Sequence, residues 1–124
     1  MVGRVNVDYF FKEVCDSDFD FMLQTINAFE EYSLSILSSL REQSEKNQKD
    51  SGQAIRLIHM ACGSIGLLGF TDYANQLSQI ENQLRDEQLR YDEARHNQVC
   101  KTIREVNAEL DQCLAAIKFS KDKR

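Results

Sequence analysis

Apolar residues recur along this chain at intervals of three and four, the spacing of one face of an α-helix. The first such stripe runs Phe19, Met22, Ile26, Phe29, Ser33, Ile36 and Leu40. Ahead of it, Asp16-Ser17-Asp18-Phe19-Asp20 reads as a helix start. Ser17 is the cap, and Asp20 resembles its capping-box partner and suits the positive end of the helix dipole. The stripe gives out in the polar run from Arg41 to Asp50; the first helix can extend some way into that run, and the rest is a connection. Asp50 or Ser51 can cap a second helix that reaches about Leu68; Gly69 ends it in a left-handed conformation, and Thr71 caps the next. That third helix carries Tyr73, Leu77, Ile80 and Leu84. After a charged turn around Asp86, Glu87 and Gln88, a fourth carries Val99, Ile103, Val106, Leu110, Cys113 and Ile117. A short helix around Val5 to Val14 precedes them and lies across one end. The pattern predicts an all-α fold: an antiparallel four-helix bundle with a short additional N-terminal helix.

Composition narrows the function more than the fold. The 124 residues make one domain, 1–124, long enough to fold without a disulfide or metal. The absence of proline and the presence of only five glycines favour long helices. Fifteen Lys and Arg against 20 Asp and Glu give a net charge of −5, which favours neither nucleic acid nor an anionic membrane as partner. The basic tail Lys118, Lys121, Lys123 and Arg124 reads as a solvated end. No apolar run approaches the roughly 20 residues of a membrane span, and the first residues lack the apolar stretch of a signal peptide. Cys15, Cys62, Cys100 and Cys113 are widely spaced, without a Cys-x-x-Cys pair, as in a cytoplasmic protein with reduced thiols. A monomer is expected, since one bundle covers its own core.

The informative segment runs from Ala54 to Gly69. With His59 at zero and about 100° per residue, Ala54, Leu57, Ile58, Ala61, Ile65 and Leu68 cluster about 150° away from the histidine. They form the buried stripe, and His59 points outward from mid-helix. Ile55, Arg56, Cys62, Gly63 and Gly66 share its side. A glycine inside a helix costs about 1 kcal/mol relative to alanine. Two of them on one outward face either permit close contact with another helix or leave bare backbone for another molecule beside His59.

His59-Met60-Ala61-Cys62-Gly63-Ser64, with Gly69 ten residues after the histidine, resembles the signature of histidine-containing phosphotransfer (HPt) domains. The family pattern is a His, a Lys three residues on, then Gly and a small residue, and a later Gly closing the helix. The similarity covers roughly Val7 to Ile117, including the helix before the site and the one after it. It departs from the family at Cys62, where a lysine usually helps to neutralise the phosphoryl group. Arg56, three residues before His59, is a partial substitute.

The resemblance implies a phosphocarrier of a two-component phosphorelay. Its His59 Nε2 takes a phosphoryl group from an aspartate of a response-regulator receiver domain and passes it to another receiver. A histidine kinase stands upstream. No cofactor belongs to this chain, because Mg²⁺ is expected on the receiver. Glu81 is the candidate for holding Nδ1: about 1.5 Å per residue puts it at a height similar to His59 on an antiparallel helix. The other reading of Glu81 is an i,i+4 pair with Arg85. Docking is expected at Ile55, Cys62, Gly63 and Gly66, with Ser64 either at the rim or bonded back into its own helix.

Two other readings compete. His59 with Cys62 and His96 with Cys100 have spacings from which two helices could build a zinc tetrahedron. Against this, His59 points away from the core and His96 lies in the polar stretch Arg95-His96-Asn97-Gln98. The alternative to a carrier is a non-catalytic adaptor that binds a receiver or kinase without stable phosphorylation, motivated by the missing lysine.

Overall fold

The computed structural model describes residues 9–46, 51–86 and 90–122. They form helices α1 (Phe19–Lys46), α2 (Gly52–Leu67), α3 (Thr71–Arg85) and α4 (Glu93–Asp122), preceded by one π-helical turn, Phe10–Val14. The described residues contain no strand. The expected short N-terminal helix is present as this π-helical segment; residues 5–8 of that element lie outside the described residues, as do Asp50, Glu87 and Gln88.

The helix starts correct two expected caps. Asp18, not Ser17, caps α1: its Oδ1 accepts from Phe21 N–H at 3.0 Å, and its carbonyl accepts from Met22 N–H. Ser17 follows Asp16 into the left-handed region, φ 58° and 54°, a conformation that Asp and Ser adopt only under local constraint. There its N–H donates to the Phe11 carbonyl and folds the N-terminal turn against the start of α1. Thr71 does not cap α3 but is its first helical residue; Phe70 holds the cap position with no side-chain bond. The connection is too short for anything else, since Gly69 alone separates it from Leu68. Gly69, at φ +88°, closes α2 as expected. Its N–H reaches the Gly66 carbonyl while that of Phe70 reaches Ile65, a Schellman pair.

The chain-order helices neighbour one another around a ring, α1 against α2, α2 against α3, α3 against α4 and α4 back against α1. Partners descend along one helix as they ascend the other, so neighbours are antiparallel. Glu30 hydrogen-bonds with Asp111, Ser33 accepts from Asn107 Nδ2 at 3.0 Å, and Arg41 shares a groove with Cys100. Across α3 and α4, Tyr73 meets Glu109 and Gln76 meets Thr102.

The predicted stripes converge in one core. Met22, Ile26, Leu40, Ile58, Ile65, Leu77, Ile103 and Leu110 are essentially removed from solvent. Each such side chain is worth roughly 1.5–3 kcal/mol, more than a helix cap's ~1 kcal/mol, so packing holds the bundle and caps trim its ends. Phe10 plugs one end, its ring 5.9 Å from that of Phe70. Among the described residues no helix is long and apolar enough to cross a membrane.

Candidate functional site

His59 projects from the middle of α2 with its side chain 69% exposed, as the helical wheel predicts. Its Nδ1 lies 3.1 and 3.2 Å from the two carboxylate oxygens of Glu81 on α3. A carboxylate can only accept, so Nδ1 is the donor, and in the neutral ring the lone pair is left on Nε2. Glu81 is almost buried, and Arg85 Nε donates to its second oxygen at 2.7 Å. The two readings of Glu81 are thus compatible: the same carboxylate takes the imidazole on one side and the guanidinium on the other.

The expected docking residues divide into two groups. Gly63 is exposed, and a Cβ built there would meet nothing within 4 Å, so the backbone beside His59 is open. Arg56 is exposed on the same side. Gly66 is exposed too, but its missing Cβ would come 4.0 Å from Ala74, so it also eases the approach of α3. Cys62 and Ile55 are not the free surface expected of them: both are half-buried and pack against the core. The Cys62 thiol donates to the Ala74 carbonyl at 3.2 Å, and burial, with Glu81 nearby, pushes its pKa up. Helix α3 lies on that flank and takes up the space. Ser64 is half-buried, and its backbone carbonyl accepts from Leu68 N–H.

Two apolar side chains of this face escaped the sequence reading. Met60 is 43% and Leu67 83% exposed. On the wheel they lie about 100° and 80° from His59, with Gly63 between at about 40°. The signal was present as apolar residues outside the buried stripe, but single exposed apolar residues are too common to have marked them.

His96 departs from expectation. Far from being solvated with its polar sequence neighbours, it is 1% exposed, held between Tyr91 Oη (2.8 Å from Nδ1) and Cys100 Sγ (3.3 Å from Nε2). The two His/Cys pairs of the zinc reading are therefore engaged separately, one at the α2–α3 edge and one inside α4. The described residues bring together no group of three or more His, Cys, Asp or Glu able to hold a metal ion.

In chemical terms, the α2–α3 edge presents one oriented, solvent-facing imidazole next to bare backbone, with a carboxylate behind it that Arg85 also holds. Compared with family models, characterised proteins and solved structures, the chain matches none.

Proposed function

We propose that this chain is a histidine phosphocarrier that accepts a phosphoryl group on His59 Nε2 from a receiver-domain aspartyl phosphate and returns it to another receiver. The observation that carries the reading is the His59–Glu81 contact. A nearly buried carboxylate selects the tautomer whose lone pair faces solvent, which is what nucleophilic attack on phosphorus requires. In that attack the Nε2–P bond forms as the aspartyl P–O bond breaks, and the carboxylate leaves. Nδ1 keeps its proton throughout, and Glu81 offsets the positive charge that develops on the ring. Open backbone at Gly63, with Met60 and Leu67 beside it, suits a partner that must press close to deliver the group. Mg²⁺ and the groups that position the phosphoryl oxygens belong to that partner. The chain itself supplies nucleophile, tautomer control and surface.

Cys62 where the resemblance expects lysine favours the adaptor as the second reading. One experiment separates the two. The chain is mixed with a receiver carrying labelled aspartyl phosphate, and label that is acid-labile and base-stable is measured. The carrier acquires it and His59→Gln does not. A chain that binds the receiver yet never acquires label is the adaptor.

A further inference from the structure

The α1–α4 side of the bundle, opposite the edge that carries His59, holds a second group of reactive side chains. Cys100 Sγ lies 3.3 Å from His96 Nε2, and Tyr91 Oη lies 2.8 Å from Nδ1 of the same ring. This is the arrangement of a nucleophile, a base and a group that orients the base. Cys100 also lines an open groove of about 460 Å³ together with Arg41, Asn97, Lys101, Arg104 and Glu105. Three cations against one carboxylate is an unusual concentration in a chain of net charge −5. Arg41 meets Glu45 only at 4.0 Å, on the exposed surface, where such a contact is weak.

We infer that Cys100 is a modifiable thiol, with His96 as its base and the Arg41–Lys101–Arg104 groove as its selector for an anionic disulfide of the glutathione class. In the tautomer whose Nδ1–H faces the Tyr91 oxygen, Nε2 takes the proton of the thiol. The sulfur then attacks one sulfur of the disulfide. A new S–S bond forms, the old one breaks, and its electron pair leaves on the other half as a thiolate that takes up the proton. Cys100 is oxidised to a mixed disulfide while half of the incoming disulfide is reduced to thiol. The cations attract the anionic reagent. Burial, followed by Arg41 and Arg104, lowers the pKa of His96, with Glu45 opposing. The ring is therefore neutral and free to accept. The other thiols are poorer candidates: Cys15 and Cys113 are buried more deeply than Cys100, at 0% and 1% against 6% exposed, and the Cys62 thiol is bonded to the Ala74 carbonyl.

The test uses the reduced full chain, oxidised glutathione at neutral pH, and peptide mass mapping, with cystamine as a cationic disulfide for comparison. A glutathionyl group on Cys100 is expected, with cystamine slower by about tenfold, the lower end of electrostatic steering. Arg104→Glu, at an exposed position, should remove most of that preference, and Cys100→Ser should take no adduct there. His96→Gln should slow both reagents alike; if that variant does not fold, the charge comparison and Arg104→Glu still decide. Attachment at Cys62 instead, equal rates for the two reagents, or a Cys100 that reacts only after unfolding overturns the inference. Phosphoryl transfer at His59 plays no part in any readout.

Discussion

His59 and Glu81, 22 positions apart in sequence, are joined across the α2–α3 edge through both oxygens of one carboxylate. The imidazole is thereby tied on its inner side while its outer nitrogen stays in water. Removing the carboxylate should release the ring. In Glu81→Ala, ¹⁵N spectra of His59 should change from the Nδ1–H form to a tautomer mixture, and phosphoryl acceptance should slow by about 10–100-fold, the usual cost of losing a group that orients a histidine. An unaltered ring spectrum would show that Glu81 does not hold the tautomer.

Arg85 bonds the same carboxylate from the far side at 2.7 Å. Because the guanidinium is half exposed, its loss should be modest, about 1 kcal/mol in Arg85→Gln. The urea midpoint should drop with the slope unchanged. Arg85→Lys should recover the charge but not the oriented Nε contact, and so restore only part of the stability.

The glycines offer a contrast between two alanine substitutions. At Gly63 a new Cβ meets nothing, so Gly63→Ala should stabilise the bundle by up to about 1 kcal/mol while slowing transfer from a docked partner. At Gly69 a Cβ would stand 2.8 Å from Tyr9 Cε1, and φ is +88°. Gly69→Ala should destabilise by more than about 1 kcal/mol. Thermal melts and transfer rates on the two variants check both statements. A Gly63→Ala variant that is stabilised yet transfers at the native rate argues against close approach at that point.

Cys62→Lys places an ammonium where the resemblance expects one, at the expense of the thiol's bond to Ala74. Transfer to His59 should quicken, or the lifetime of the phosphohistidine should change, in a time course with phosphorylated receiver. Equality with the native chain in both would mean that the substitution is without consequence for transfer.

Stability should fall on acidification in part because of His96. Its folded pKa is lowered from 6.5, first by burial and then by Arg41 and Arg104. The unfolded chain then binds more protons, so this contribution is complete above pH 6.5 and is lost as pH falls through the folded value. Glu30 acts in the opposite sense. Its hydrogen bond to Asp111, then burial and the Asp111 charge, raise its pKa, so its contribution is present below 4.5 and lost as pH rises through the folded value. Proton NMR of the two imidazoles should show the His96 signal titrating below 6.5. A His96 that titrates at or above that value would contradict its neutral, buried placement.

Much of the architecture was legible because a helix repeats every 3.6 residues or so, and an apolar stripe reveals which way each side chain faces from its own axis. That sufficed for four helices, for the outward His59, and for Gly69 at the end of α2. Glu81 was legible more narrowly: counting rise per residue from a known turn gives height, but not rotation about the neighbouring axis. Only the packed bundle decided that its carboxylate meets both His59 and Arg85, that α3 covers Cys62, and that His96 sits inside despite its polar neighbours. A polar side chain can be buried wherever partners satisfy it, and Tyr91 and Cys100 do so. Periodicity along one helix carries no information about what the next helix offers at the same height; that is settled by how the surfaces fit.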